Sequence, residues 1–299
     1  MNFDGVLFFP VTPFGPQGEV NRTVLAEHVR FGLEHSPGAV FAACGTGEFH
    51  ALSADEVRTV ASVAVETVGG AVPVFSGLGG SFGQAIASAH SAQDLGLDGL
   101  LLLPPYLVTG PSEGLREYVL RVADASAVPV VLYHRASARY SAALVAELAA
   151  HENIIGFKDG TGDIGLAQEI VTAVRSAGVK DFLFFNGLLT AELSQGAYRG
   201  IGMPLYSSAA FAMAPAIANA YYRAYIGDDE ELRLRILEEF YLPLVTLRDE
   251  TPGFGVSLVK AGLRLGGAPV GSVRPPLTDP DERQRAELQR ILDAGRAFV

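Results

Sequence analysis

The feature that most constrains the fold is a regular alternation of short apolar runs with helical patterns over roughly the first 225 residues. Each apolar run has the length of a strand and is followed by a loop and an amphipathic helical pattern. Eight strands are predicted, at Val6–Pro10, Ala39–Ala43, Val72–Ser76, Gly99–Leu103, Pro129–Tyr133, Ile154–Lys158, Asp181–Phe185 and Gly200–Met203. Eight such units close most simply into a (β/α)8 TIM barrel, with a doubly wound open sheet as the alternative.

Local signals for helix ends support this alternation. Asn21 is predicted to be an N-cap, and Ser53 with Glu56 three residues later has the pattern of a capping box. After the third strand we predict a loop at Gly77–Gly80 and a helix at Phe82–Leu95.

The alternation stops after Gly227, and no further strand is predicted. The remaining segments read as three helices separated by proline and glycine breaks, at Asp228–Leu247, Gly255–Leu265 and Pro280–Phe298. We therefore predict a barrel domain over residues 1–226 and a C-terminal three-helix extension over residues 227–299, packed on the barrel or on a neighbouring subunit.

Composition excludes several kinds of partner and site. The net charge of −11, from 22 basic and 33 acidic side chains, argues against nucleic acid and anionic membranes as partners. A single cysteine, Cys44, rules out a disulfide within the chain and a cysteine-based zinc site. No His–carboxylate pair stands at ligand spacing, so we predict no metal. We expect a cytoplasmic protein, because neither a signal peptide pattern nor an apolar run of ~20 residues is present.

The segment Ile154–Asp163 carries the strongest chemical signal. A buried strand is predicted to end on Lys158, and a glycine-rich turn follows it. An ammonium group at the mouth of an apolar site loses hydration, which lowers the pKa of the lysine. The neutral amine could then attack a ketone and form an iminium, a strong electron sink. Seen alone, a lysine after a strand is more often an exposed surface residue.

Other polar groups follow predicted strands, whose C-terminal ends carry the active site in a barrel. The turn Gly45-Thr46-Gly47 offers backbone N–H groups and a hydroxyl for a carboxylate, or is a plain tight turn. Tyr133 could transfer protons, or be a core aromatic, and Arg135 could hold a carboxylate in a fork. Further candidates for binding substrate are Asn186, Ser207 and Ser208.

Four neighbouring or distant polar residues are expected to have other roles. Glu48 is predicted to be a structural carboxylate bonded to backbone amides rather than a general acid. His134 is predicted to lie at the surface or behind the site, and Arg248 and Arg264 to be solvated or to lie in an interface.

Three of these features in order resemble the dihydrodipicolinate synthase / N-acetylneuraminate lyase family: Thr46–Glu48, Tyr133 and Gly156–Asp159. The resemblance covers nearly the whole chain, including the three-helix tail. It implies a (β/α)8 barrel, a Schiff base on Lys158, proton transfer by Tyr133 and no cofactor. It also implies a homo-oligomer, either a tetramer or a dimer.

Within the family, several strings are most similar to the 5-dehydro-4-deoxyglucarate dehydratase branch, namely Gly156–Asp163, Phe185–Gly187, Tyr206–Ala209 and Val273–Thr278. The resemblance implies a decarboxylating hydro-lyase of sugar acid catabolism that forms 2,5-dioxopentanoate, CO2 and water. Gly45 departs from the synthases, which have a proton-relaying threonine there. His134 and His50 depart from the pattern of the branch.

Two other functions stay open. A class I aldolase of the same family would use Lys158 and Tyr133 to cleave a 2-keto-3-deoxy sugar acid to pyruvate and an aldehyde, without releasing CO2. A non-catalytic keto-acid binding protein on the same scaffold is the alternative from another class. The presence of both Lys158 and Tyr133 argues against that alternative.

Overall fold

The computed structural model of the chain describes residues 3–299, and its eight parallel strands form one closed barrel in chain order. The strands are β1 Leu7–Phe8, β2 Ala39–Ala42, β3 Val74–Gly80, β4 Gly99–Pro105, β5 Val130–His134, β6 Ile154–Asp159, β7 Leu183–Asn186 and β8 Leu205–Ser208. Closure excludes the open sheet and confirms the predicted (β/α)8 barrel.

One α-helix follows each strand. The helices are α1 Arg22–Leu33, α2 Ala54–Val68, α3 Phe82–Ser91, α4 Ser112–Ala125, α5 Ala142–Leu148, α6 Ile164–Ser176, α7 Gln195–Gly200 and α8 Pro215–Ile226. The predicted caps are confirmed, since the Asn21 side chain accepts from Val24 N, and Ser53 and Glu56 form a reciprocal capping box.

The segment after α8 is helical, as predicted. It contains α9 Glu230–Ile236, a π turn at Leu237–Tyr241, α10 Leu242–Asp249, α11 Phe254–Leu265 and α12 Glu282–Gly295. The first predicted tail helix, Asp228–Leu247, therefore corresponds to α9, the π turn and α10, which follow one another without a gap. The proposed domain boundary at residue 226 falls where Gly227 ends α8 and the Asp229 side chain caps α9. A separate extension domain stays a prediction.

The chain forms two compact units. The first contains the residues up to Val72 together with Ser208–Val299, and the second contains Pro73–Ser207. In the first unit Phe9 stacks on Phe41, with ring centroids 4.7 Å apart. In the second unit strands β3 to β7 pair in parallel over fully buried side chains such as Phe157. Buried apolar side chains thus pack within each unit.

Some predicted element bounds are wrong. The predicted eighth strand, Gly200–Met203, is the end of α7 and a turn in which Gly202 has a φ of +94°. The true β8 contains buried hydroxyl residues, which resemble a polar loop in sequence. The predicted loop Gly77–Gly80 belongs to β3, and α3 ends at Ser91 instead of Leu95.

Candidate active site

Polar residues stand at the C-terminal ends of three neighbouring strands in the second unit. We call Tyr133, Arg135, Lys158, Asp159 and Asn186 the β5–β7 cluster. In the parallel register Tyr133 is the direct partner of Lys158, and Asp159 is the partner of Asn186. Strand pairing therefore places the predicted lysine and tyrosine side by side.

Lys158 is a buried residue and not a surface lysine. Only 5% of its surface is exposed, and its Nζ lies 4.7 Å from the centroid of the Tyr133 ring. A cation at this distance from an aromatic ring is attracted by the ring's negative face. The amine is thus held against a phenol instead of extending into water.

The phenol of Tyr133 is oriented from two sides. Its hydroxyl donates to the carbonyl oxygen of Gly187 at 3.1 Å and accepts from Nη1 of Arg135 at 3.0 Å. A guanidinium that donates to a phenol oxygen stabilises negative charge on that oxygen. No described residue of the chain accepts from the remaining guanidinium N–H groups of Arg135, so these stay available to an anion.

Asp159 organises the turn that follows Lys158. Its carboxylate accepts from the backbone N and the Oγ1 of Thr161 at 3.0 and 2.7 Å, from Gly162 N at 3.2 Å, and from the Tyr198 hydroxyl. Burial and the bond to Asp159 raise the pKa of Tyr198. Four accepted bonds make Asp159 a structural carboxylate, which holds the end of β6 in place.

His134 lies behind the cluster. Its ring packs against Phe157 with centroids 5.6 Å apart, and its Nδ1 is 3.9 Å from an Asp159 carboxylate oxygen. Burial lowers the pKa of His134, so the imidazole is neutral at pH 7. His134 was predicted to lie either at the surface or behind the site, and its burial confirms the second position.

Two glycines leave room for the reacting side chains. A Cβ on Gly187 would lie 2.6 Å from Cε of Lys158 and 2.8 Å from the carbonyl oxygen of Asp159. A Cβ on Gly160 would lie 2.7 Å from Cε2 of Tyr133. These distances are well below van der Waals contact, so a side chain at either position would displace a member of the cluster.

The remaining polar candidates of β7 and β8 already make local bonds. The fully buried Asn186 amide donates to Ala191 O, Ser194 Oγ and Gln195 Oε1 and accepts from Leu188 N. Ser207 Oγ donates to Asn186 O at 3.5 Å, and Ser208 Oγ accepts from Phe211 N at 3.1 Å. These bonds shape the loops after β7 and β8, and a substrate-binding role for the three residues stays a prediction.

The turn after β2 lies in the first unit. None of the described residues accepts from the backbone N–H groups of Gly45, Thr46 and Gly47. Gly47 O accepts from Thr12 Oγ1 at 2.6 Å, and Glu48 N donates to Gly45 O at 3.1 Å. Three successive backbone donors without an acceptor among the described residues form an arrangement that can bind an anion.

Glu48 is a structural carboxylate, in line with its prediction. It is fully buried and lies in the left-handed region, with a φ of 57°. Its Oε1 is 2.6 Å from Nζ of Lys260, which is also fully buried, and its Oε2 accepts from Arg274 N at 2.8 Å. Burial lowers the pKa of Lys260, while the charge of Glu48 opposes this shift.

Acid should weaken the contact between α2 and Arg274. Hydrogen bonding by Arg274, the largest cause, lowers the pKa of Glu56 from 4.5 to about 2. Because the folded state favours the ionised carboxylate, its stabilisation is complete above the unfolded pKa and is lost as pH falls from about 5 to about 2. Because solvent screens this partly exposed pair, we expect Glu56→Gln to lower the free energy of unfolding by only about 1 kcal/mol at pH 7 and by much less near pH 2.5, measured by urea unfolding.

A matched control for this experiment is Glu27→Gln on the exposed face of α1. It should leave the pH dependence of stability unchanged. A constant difference between wild type and Glu56→Gln from pH 7 to pH 2.5 would contradict the linkage.

Residues 3–299 contain neither a cluster of side chains suited to a metal ion nor a helix suited to spanning a membrane. No group of three or more His, Cys, Asp or Glu side chains there could hold a metal ion. No helix in the described part of the chain is both long and apolar enough to span a membrane.

The family of the chain follows from a comparison with known proteins. The model of the dihydrodipicolinate synthetase family matches residues 2–295, and the chain belongs to that family. Among solved structures, dihydrodipicolinate synthase from Oceanobacillus iheyensis has a TM-score of 0.90 at 25% identity, covering 99% of this chain and 97% of that one.

Relatives with higher identity carry a more particular name. "Probable 5-dehydro-4-deoxyglucarate dehydratase 1" of Streptomyces avermitilis is 49% identical over 295 residues, covering 99% of this chain and 94% of that protein. A protein of Streptomyces griseus named "Probable 5-dehydro-4-deoxyglucarate dehydratase" is also 49% identical and covers 99% of this chain and 92% of that protein.

Several residues of these networks were missed in the sequence. Gly187 follows a strand as part of an Asn-Gly pair, which reads as an ordinary turn. Lys260 stands among apolar residues of α11, and a lysine on the apolar face of a helix was the signal that could have revealed a buried charge. The bond from Tyr198 to Asp159 could not be found, because the two residues are 39 positions apart in the chain.

Proposed function

We propose that the chain is a 5-dehydro-4-deoxyglucarate dehydratase that converts 5-dehydro-4-deoxy-D-glucarate to 2,5-dioxopentanoate, CO2 and water through a Schiff base on Lys158. The observation that carries the chemistry is the buried Lys158 amine, 4.7 Å from the ring of Tyr133 at the ends of two paired strands. The substrate is argued from the names of the relatives with 49% identity.

The first stage of the reaction is dehydration. The neutral amine of Lys158 condenses with the C5 ketone and expels water, which leaves an iminium. Tyr133, or a water molecule bonded to it, removes a proton from C4, and the electron pair moves into an enamine. The enamine expels the C3 hydroxyl, which leaves as water after protonation, and a conjugated iminium remains.

The second stage is decarboxylation. The C1–C2 bond breaks, CO2 leaves, and the electron pair moves through C2 and C3 into the conjugated iminium. The adduct is then a dienamine, and protonation at C4 restores the iminium. Protonation at C3, with loss of the enol O–H proton, converts C2 to an aldehyde. Water then hydrolyses the iminium to free 2,5-dioxopentanoate and the Lys158 amine. One lysine is therefore the electron sink for both stages, and the water taken up in hydrolysis balances the water lost in condensation.

The two substrate carboxylates need separate binding groups. We assign the carboxylate next to the ketone to the backbone donors of Gly45, Thr46 and Gly47, which have no acceptor among the described residues. We assign the distal carboxylate to the guanidinium of Arg135, whose further donors are unused within residues 3–299. Asn186, Ser207 and Ser208 shape the loops around these groups and stay candidates for contacts with the substrate hydroxyls.

The experiment that tests the function is an assay with 5-dehydro-4-deoxyglucarate, combined with borohydride reduction and intact mass. We expect equal amounts of CO2 and 2,5-dioxopentanoate, and an adduct on Lys158 that lacks the mass of water and CO2. A pyruvate-sized adduct without CO2 would instead establish the aldolase. Absence of both turnover and adduct would leave the keto-acid binding protein. A relative in E. coli, 25% identical with a TM-score of 0.88, was crystallised in complex with pyruvate, so pyruvate is a suitable second probe.

Tyr133→Phe should separate condensation from proton transfer. The variant keeps the ring beside Lys158 but loses the hydroxyl that bonds to Gly187 and Arg135. We expect kcat to fall by about 10²- to 10³-fold, while borohydride still traps the substrate on the lysine. The control is Tyr118→Phe, because the buried Tyr118 hydroxyl has no partner among the described residues. Wild-type kcat in Tyr133→Phe would remove Tyr133 from the mechanism.

We also propose that the enzyme works in the cytoplasm as a homo-oligomer, either a tetramer or a dimer. The support is family membership. Light scattering coupled to size-exclusion chromatography measures the oligomer directly, and a mass of 31.5 kDa would show a monomer.

A further inference from the structure

A buried ion pair lies directly behind the turn that is proposed to bind the substrate. Glu48 follows Gly45, Thr46 and Gly47 in the chain, and its carboxylate is 2.6 Å from the ammonium of Lys260 on α11. Both side chains are fully buried. An unpaired buried charge is strongly unfavourable, so neither group would be stable here without the other.

Further contacts fix both members of the pair. Lys260 Nζ donates to Ser272 O at 3.0 Å and lies 4.0 Å from the centroid of the Phe14 ring. The second oxygen of Glu48 accepts from Arg274 N at 2.8 Å. The carboxylate is therefore held from two directions by groups that are more than 200 residues away in sequence.

These contacts control the conformation of the turn. Glu48 has a φ of 57°, a region that non-glycine residues rarely adopt unless their surroundings hold them there. The peptide before it is fixed as well, because Thr12 Oγ1 donates to Gly47 O at 2.6 Å. Because Gly47 O and Glu48 are held by these contacts, the orientation of the backbone N–H groups at residues 45 to 47 is fixed. The N–H groups themselves take no part in these bonds and can donate to a ligand.

Charge gives a second reason for the pair. A carboxylate this close to a turn that binds anions would repel a substrate carboxylate. The ammonium of Lys260 cancels that charge, and the guanidinium of Arg274 is itself paired with Glu56, its Nη1 lying 2.9 Å from Glu56 Oε2. These two pairs thus carry no net charge, which leaves the partial positive charges of the N–H groups of the turn available to attract a carboxylate.

We propose that Lys260 and Glu48 are positioning residues, which hold the turn Gly45–Gly47 in the conformation that binds the carboxylate next to the substrate ketone. Neither residue touches the reacting atoms. This inference rests on the proposed function, because it assumes that the turn binds that carboxylate.

The test is a comparison of Lys260→Met, the double variant Glu48→Gln/Lys260→Met and wild type. Lys260→Met leaves a buried carboxylate uncompensated beside the turn, so KM should rise by about tenfold or more while kcat changes by less than about threefold. The double variant removes both charges and keeps an acceptor for Arg274 N, so its KM should lie between those of Lys260→Met and wild type. Lys180→Met, at an exposed lysine, is the matched control and should behave as wild type.

Trapping with pyruvate separates this inference from the proposed function. Pyruvate has the same ketone and adjacent carboxylate, so its half-saturating concentration for borohydride trapping should follow the same order as KM. A wild type that traps pyruvate but does not dehydrate the six-carbon acid would overturn the proposed function alone. Unchanged KM and half-saturation in the folded double variant and in Lys260→Met, or a fall in kcat at constant KM, would overturn the positioning role. If Lys260→Met does not fold, a wild-type KM in the double variant would by itself overturn the positioning role.

Discussion

Lys158→Ala should abolish turnover, with kcat reduced on the order of 10⁴-fold or more. The amine is proposed to form the covalent bond and to be the electron sink for both bond-breaking stages, and alanine can do neither. The truncated side chain leaves the paired strands β5 and β6 in place, so the variant should fold. Steady-state release of CO2, together with intact mass after borohydride reduction, measures both losses.

The chain offers a clear control, because Lys158, Lys180 and Lys260 are its only lysines. Lys180 is exposed, so Lys180→Ala should keep wild-type turnover and the wild-type adduct. Peptide mapping of the reduced wild-type adduct should place the added mass on Lys158. Substantial turnover by Lys158→Ala, or an adduct on Lys260, would disprove the Schiff-base assignment.

Gly187→Ala should be nearly as damaging, although residue 187 supplies no reacting group. The new Cβ would lie 2.6 Å from both Cγ and Cε of Lys158 and 2.8 Å from Asp159 O. Because the backbone carbonyl of Asp159 cannot easily move, the Lys158 side chain must give way to the new Cβ. Lys158 then leaves its place beside Tyr133. A misplacement of about 1 Å can cost about 10²-fold in rate, and we expect a loss of at least that size in kcat.

The same variant should also slow borohydride trapping, because the displaced amine condenses less readily. Gly83→Ala on α3 is the control, since a Cβ there meets nothing within 4 Å. Both variants should show cooperative thermal unfolding, which separates displacement from misfolding. Wild-type kcat in a folded Gly187→Ala would show that the position of the lysine tolerates this change.

Local sequence determined much of the fold. The period of the apolar residues predicted the alternation of strands and helices, because it decides which face of each element is buried. Caps such as Ser53 with Glu56 were predictable because their bonds join residues three positions apart. The eighth strand was misplaced, since Tyr206, Ser207 and Ser208 are buried by neighbours that the local pattern does not contain.

The sequence alone placed Lys158 and Tyr133 at the ends of strands, because the end of a strand is visible in a local pattern. Tertiary structure alone decided what surrounds them. Strand register brought Tyr133 beside Lys158. Gly187, 29 positions after Lys158, leaves room for the amine, and Lys260 of α11 forms an ion pair with Glu48. Such contacts depend on three-dimensional packing between residues far apart in the chain. No pattern within a single strand or helix can specify them.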